Sequence, residues 1–319
     1  MLLKEELKVK DLQIKNRIVM PPMATEKSNE GIVTQDQVDY YVQRAQGTGL
    51  VIVEHAFVSP EGKCSKNQLS LCDDNCIAGL KKLADAIHST GTICFTQLAH
   101  AGARAKNDLQ TISPSGVKID DQESVEMTLD DIERLKEAFL NAAIRSQKAG
   151  FDGVEVHSAH LYMLNQFYSP ITNKRTDEYT GSTIEGRTKL QCEIIKSIRE
   201  KVGEKFIIAI RLGACDYEEN GSKIEEIPVA CKKFVEAGAD IIDISGGYHA
   251  YTNPESTEAG YFKQLSIAAK KGVNVPVILT GGIKTASEAE KLLEENAADL
   301  IGVGRAMLTN PNWSKEVME

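Results

Sequence analysis

Eight short apolar runs rich in β-branched residues recur along the chain, and a longer stretch of helical period follows each of them. Strands that alternate with helices in this way pair in parallel, because each crossover carries the chain back across the same sheet. The runs predict strands over Arg17 to Met20, Leu50 to His55, Thr92 to Gln97, Gly153 to His157, Ile207 to Leu212, Ile241 to Ser245, Val277 to Thr280 and Leu300 to Val303. The clearest helical periods span Asp36 to Gln46, Ile77 to Ser89, Leu129 to Lys148, Arg187 to Lys201, Glu225 to Ala237 and Ser287 to Glu294. Gly150 and Gly238 stand between a helix and the next strand, where a left-handed residue stops the helix. No G-x-G-x-x-G motif follows the first strand, so eight βα units fit a (β/α)8 TIM barrel better than a doubly wound sheet. The 319 residues are expected to form one barrel domain over 1–319. Catalytic groups then belong at the C-terminal strand ends and on the loops that follow. Two of those loops, Ala99 to Thr128 and Ser158 to Gly186, are long enough to serve as lids or binding walls.

Charge removes several partner classes. Lys and Arg number 37 against 46 Asp and Glu, a net charge of −9, so neither nucleic acid nor an anionic membrane surface is expected as a partner. No apolar run reaches membrane-spanning length, and Lys4-Glu5-Glu6 comes too early for a secretory signal, which predicts a cytoplasmic protein. The seven cysteines, at 64, 72, 76, 94, 192, 215 and 231, form no Cys-x-x-Cys pair. They are expected to be reduced, mostly buried and inert.

The end of the fourth predicted strand concentrates chemistry in Glu155-Val156-His157-Ser158-Ala159-His160-Leu161-Tyr162. Strand alternation puts Glu155 and His157 on one inward face. Two imidazoles three residues apart can aim N–H donors at a carbonyl oxygen as negative charge develops on it, and the Tyr162 hydroxyl can then deliver a proton. Zinc is a competing reading, but His-x-x-His at a strand end lacks the helical zinc-site geometry and a third ligand, so no metal is expected. A plainer alternative is that both histidines cap the strand and bind backbone. The seventh and eighth strands end in Gly281-Gly282 and Gly304-Arg305, where many barrels bind phosphate through bare backbone N–H groups. Turn geometry alone would also explain each glycine. Gln97, Arg211 and Ser245 complete a ring of polar strand ends. A buried Arg211 needs an anionic partner, either a ligand or a salt bridge to Glu155 or Asp243.

Asn16-Arg17-Ile18 with Pro21-Pro22-Met23, Gln97-Leu98-Ala99-His100-Ala101-Gly102, His157 to Tyr162, Ser169-Pro170, Asn173 to Tyr179 and Gly304-Arg305 together resemble the Old Yellow Enzyme family of NAD(P)H:flavin oxidoreductases. The resemblance spans nearly the whole chain. It implies a barrel with noncovalently bound FMN, reduced by NADH or NADPH, that acts as an ene-reductase on α,β-unsaturated carbonyl compounds. His157 and His160 would hold the carbonyl oxygen and Tyr162 would protonate the α-carbon. Pro21, Pro22, Met23 and Ala24 would lie along the flavin ring, Gln97 at its pyrimidine edge and Arg211 near N1 and O2. Ser245 joins this cofactor set, Gly281, Gly282, Gly304 and Arg305 would hold the phosphate, and His55 would stand near the ring. Ala24 occupies the position where the family usually has a Thr or Cys bonded to flavin O4, with Thr25 one step further on. Longer relatives continue into a cysteine cluster for a 4Fe-4S centre. No cysteine follows Cys231, so no iron-sulfur cluster is expected and hydride would pass directly from the nicotinamide. The partners implied are an alkene and a nicotinamide, and a homo-oligomer is compatible with the chain. Alternatives are an oxidoreductase whose acceptor is oxygen, a quinone or free flavin, a flavin-free phosphate-binding isomerase or lyase, and a flavin-storage protein. Selectivity is expected in the Ala99 to Thr128 and Tyr248 to Tyr261 loops.

Overall fold

A computed structural model describes all residues, Met1–Glu319. Eight parallel strands close on themselves: β1 (Ile18–Met20), β2 (Leu50–Phe57), β3 (Ile93–Ala99), β4 (Gly153–Ser158), β5 (Ile207–Gly213), β6 (Ile241–Ser245), β7 (Val277–Thr280) and β8 (Leu300–Gly302). Each pairs with the next, and β8 pairs with β1 through Ile301 opposite Ile18. The expected barrel is therefore the observed fold. Helices α1 (Gln35–Ala45), α2 (Cys76–His88), α3 (Leu129–Lys148), α4 (Ile184–Val202), α5 (Ile227–Ala237), α6 (Lys263–Gly272) and α7 (Ala286–Glu294) lie between the strands, and two short helices follow β8. Thr34, Thr128, Thr183 and Thr285 start α1, α3, α4 and α7 by accepting the backbone N–H three residues on. Gly150 and Gly238 end α3 and α5 with positive φ, as their positions predict. No helix is long and apolar enough to cross a membrane.

Alternation along the strands divides the core in two. Val51, Val53, Val154, Val156, Ile208, Ile210, Ile242 and Ile244 face the helices in one large cluster. Val19, Leu50, Ile52, Phe95, Ile207, Ala209, Ile241, Ile278 and Leu300 fill the barrel interior. A hairpin that sequence patterning did not predict, Leu7–Val9 against Leu12–Ile14, plugs the lower end with Val9 and Ile14. One irregularity matters for the site: the β2–β3 register slips between Val53 and His55, so Glu54 is an extra residue. Such a bulge re-aims the side chains beyond it.

Phe95 spans the interior opposite Gly153, whose missing Cβ is a packing requirement. A methyl there would come within 2.5 Å of the Ile207 carbonyl and 2.8 Å of the Phe95 ring. Truncating Phe95 to alanine should lower the unfolding free energy by about 3–5 kcal/mol, read as a lower urea midpoint at unchanged slope.

Candidate functional site

Above the apolar layers, the inward strand positions become polar. Gln97 stands opposite Glu155 in register, and Arg211 stands between His157 and Asp243. All five side chains are buried. Arg211 Nε lies 3.3 Å from Asp243 Oδ2, within ion-pair distance but without hydrogen-bond alignment. The salt bridge weighed for Arg211 thus exists, to Asp243. Glu155 Oε2 and both Asp243 oxygens have no partner while treated as acceptors. Burial first, then the Asp243 charge, raise the Glu155 pKa well above the ordinary carboxyl range, against Arg211. Burial also raises Asp243, with Arg211 opposing. A proton kept on Glu155 turns Oε2 from an orphan acceptor into a donor to its neighbour.

Gln97 converts this arrangement into a fixed histidine. Its Nε2 donates to Glu155 Oε1 at 2.8 Å and reaches His157 Nδ1 at 3.1 Å. Nδ1 is then the acceptor, so the hydrogen of His157 sits on Nε2. The next turn is strained: His160 and Leu161 both have positive φ, 59° and 57°. Such conformations cost about 1–3 kcal/mol each and need over-determining contacts. These are supplied by Leu161 N–H donating to Asn165 Oδ1 (2.8 Å), Gln166 Nε2 to the Leu161 carbonyl (2.5 Å) and Arg104 Nη1 to the His160 carbonyl (3.1 Å). As a result the His160 and Tyr162 rings stand 5.2 and 5.0 Å from that of His157. His160 Nε2 is 2.7 Å from Ser245 Oγ, a partner that the sequence reading placed on the cofactor. Burial, then neighbouring positive charge from His160 and Arg211, hold His157 well below the usual histidine range. Burial and Arg211 do the same to His160. Both are therefore neutral N–H donors at neutral pH.

The structure corrects the expectation of inert thiols at one position. All seven cysteines are free, and Cys76, Cys94, Cys215 and Cys231 are buried. Cys64, however, stands half-buried with Sγ 3.0 Å from Tyr162 Oη and 3.9 Å from His55 Nε2. Burial would raise this thiol, but the bonds from His55 and Tyr162 prevail and lower it. His55 Nε2 is itself 3.3 Å from Tyr162 Oη, and the two rings stack at 5.7 Å. No sequence spacing links Cys64 to Tyr162. The bulge at Glu54 and the turn Pro60–Gly62 bring them together. At the opposite end of the barrel His88, Cys94 and Asp152 also meet. Asp152 Oδ2 there already accepts from His88 Nε2 (2.7 Å) and the Cys94 N–H (2.9 Å).

The segment after β1 is held by the bulged Glu54. Its two oxygens accept from the Thr25 N–H (2.8 Å) and hydroxyl (2.5 Å), and Gln37 Nε2 adds a third bond at 2.5 Å. Thr25 is thereby committed away from the barrel mouth. Pro21 is buried, Pro22 and Met23 half-buried and Ala24 exposed. Gly304 lies in van der Waals reach of Met23 and Pro21. Gly281 and Gly282 have positive φ, 149° and 68°, and a Cβ on either would fall within 3 Å of the Tyr261 ring. Arg305 is exposed, with Nη2 3.4 Å from Tyr261 Oη. Tyr261 is thus part of this cradle, which the sequence reading missed. Orphaned Arg211 Nε and Thr280 Oγ1, a bare glycine turn and a nearby arginine form a donor set that fits a flat, anionic, phosphate-bearing group.

Fold and site together define a flavin-type (β/α)8 oxidoreductase. The NADH:flavin oxidoreductase / NADH oxidase family matches residues 3–319, and the chain belongs to it. FMN is the cofactor of this family, which includes Old Yellow Enzyme relatives. The chain is 41% identical to an NADH oxidase of Thermoanaerobacter brockii over 98% of its own length and 50% of that protein. Its fold superposes on 2-naphthoyl-CoA reductase with a TM-score of 0.93 at 27% identity, covering 99% of this chain and 52% of that one. An old yellow enzyme homologue from Zymomonas mobilis gives a TM-score of 0.86 at 25% identity, with 99% and 92% covered. The chain thus spans about half the length of the first two relatives.

The neutral histidines set a pH dependence. Below the unfolded value of about 6.5, a histidine kept neutral by the fold takes up a proton only on unfolding, so stability is lost as pH falls. Between pH 6.5 and 5 each should remove about 1 kcal/mol per pH unit. Urea titrations across this range should show a shallower loss for His160→Asn than for the unsubstituted protein.

Proposed function

We infer that the chain is an FMN-dependent NAD(P)H oxidoreductase that reduces the activated C=C bond of α,β-unsaturated carbonyl compounds. The observation that carries this reading is the convergence of a second neutral imidazole, His160, and one phenol, Tyr162, within 5.2 Å, centre to centre, of His157. FMN would be held by Pro21, Pro22, Met23 and Ala24 along its ring, by Gln97, Arg211 and Ser245 at its polar edge, and by Gly281, Gly282, Gly304 and Arg305 at its phosphate. His55 would contribute less to the cofactor than to Tyr162, with which it stacks. When bound, FMN supplies the hydride that it has taken from NADH or NADPH. The Nε2–H of His157 and the N–H of His160 would bind the substrate carbonyl and stabilise negative charge as it develops there. In the tautomer in which Ser245 donates to Nε2 of His160, 2.7 Å away, that N–H would stand on Nδ1. Tyr162 would then protonate the α-carbon. Its pKa is raised, by burial first and then by Cys64, so the hydroxyl stays protonated until a strong base appears. Arg211 would place positive charge beside an anionic reduced cofactor.

The 41% identity to an NADH oxidase supports a second reading, in which oxygen is the acceptor and alkene reduction is incidental. One variant separates the two. Tyr162→Phe should bind FMN and accept hydride from NADH at the original rate, and its reduction of 2-cyclohexenone should fall about 10²–10⁴-fold. Oxygen consumption should persist. Purified protein that takes up no FMN, or a phenylalanine variant that keeps full cyclohexenone turnover, would overturn the ene-reductase reading.

A further inference from the structure

We propose that Cys64 and His55 together resupply the proton that Tyr162 gives up, forming a short relay from the barrel rim to the Tyr162 hydroxyl. The inference rests on the reading of Tyr162 as proton donor. Its basis is geometric: the Tyr162 oxygen has two side-chain partners, Cys64 Sγ at 3.0 Å and His55 Nε2 at 3.3 Å. Neither is held by chance. Gln68, buried at 1% exposure, accepts from the Cys64 N–H at 2.8 Å through Oε1, and its Nε2 lies 3.3 Å from His55 Nδ1. The amide therefore assigns Nδ1 as acceptor and leaves the His55 hydrogen on Nε2, facing both the phenol and the thiol.

The proton balance closes without any redox change. At rest Cys64 is a thiol and His55 neutral, so the pair holds one transferable proton, on Sγ, and the His55 Nε2–H stabilises the thiolate that its loss leaves. When Tyr162 O–H breaks and its proton forms the new C–H bond of the substrate, a phenolate remains in a site that disfavours it. One proton from the Cys64–His55 pair restores the O–H bond, which leaves a thiolate and a neutral imidazole. Water at the half-exposed Cys64 then returns one proton to the pair. His55 is raised above its ordinary value, burial working against the bond and charge of Cys64. The charged groups that act on this cluster from neighbouring elements are Glu26 after β1, Glu54 on β2 and Arg104 after β3, with His157 of β4 edge-on to Tyr162. None of them contacts the Tyr162 oxygen.

The relay predicts a signature that packing alone would not produce. A Cys64→Ala holoenzyme should accept hydride from NADH at the original rate. Its first oxidation by 2-cyclohexenone should also be normal, because Tyr162 starts protonated. Later turnovers should slow at least tenfold, a burst followed by a slow steady state in stopped flow, with little change in KM. A second measurement is independent of turnover: the pH dependence of Cys64 alkylation by iodoacetamide, followed by peptide mass spectrometry in the unsubstituted holoenzyme and in Tyr162→Phe. The midpoint should lie below that of free cysteine and move upward in the phenylalanine variant. Steady turnover of Cys64→Ala at the original rate, equal slowing of first and later turnovers, or an alkylation midpoint indifferent to Tyr162 would each overturn the relay. In those cases a Tyr162→Phe enzyme that has lost alkene reduction leaves the broader reading standing. Full alkene reduction by Tyr162→Phe would remove both.

Discussion

The site depends on a buried charge problem at the top of the barrel and on how it is resolved. One guanidinium and two carboxyls, Arg211, Asp243 and Glu155, lie on three adjacent strands with almost no exposure. Removing such groups from water costs several kcal/mol each, and a third apolar layer would stabilise the barrel more. The cost is reduced when Glu155 keeps its proton, because the layer then carries one negative and one positive charge. A protonated Glu155 still accepts at Oε1 from Gln97, and that bond turns the second hydrogen of the Gln97 amide toward His157 Nδ1. The tautomer of His157 is therefore set by the Gln97 amide, which Glu155 holds in place.

A second constraint is the extra residue in β2. Without the slip at Glu54, strict alternation would turn Glu54 toward the mouth and His55 toward the helices. With it, Glu54 anchors Thr25, Gln37 and Tyr41, while His55 stands opposite Gln97 in register and beside Tyr162. One inserted residue thus fixes the segment that would flank the cofactor and supplies a partner for the phenol. Deleting the slip would exchange a buried carboxylate with four bonds for one facing the Arg211 layer, where two carboxyls already compete for one cation.

Much of this was legible in the chain because strand period and strand ends are local properties. The eight strands, the inward pairing of Glu155 with His157, and the glycine turn after β7 all follow from alternation and from the φ that glycine permits. The bulge was not legible, since Leu50 to Val53 is an unbroken apolar run and no glycine or proline beside Glu54-His55 marks an inserted residue. Helix α6 was not among the clearest helical periods, and Phe262 gives its start no capping side chain. The N-terminal hairpin turns at Lys10 with positive φ and no glycine to mark it. Cys64 and Tyr261 are tertiary arrivals: one meets Tyr162 from 98 positions away and the other closes over Gly281 and Gly282 from the preceding loop. Composition supported inert thiols and spacing could not correct it, since nothing in either encodes a distance between loops.

The electrostatics also explain why two histidines and an arginine can share one mouth. Burial does most to hold His157 and His160 neutral, and the positive charge of Arg211 adds to it, which leaves their N–H groups free for a neutral acceptor. With Asp243 paired to Arg211 and Glu155 protonated, the layer is close to electrically balanced at rest. Under the proposed reaction, negative charge developing above it would meet donors already oriented by Gln97, Ser245 and the strained His160–Leu161 turn. The folding free energy spent on that turn and on the buried layer is thus realised as orientation, which no longer has to be established during reaction.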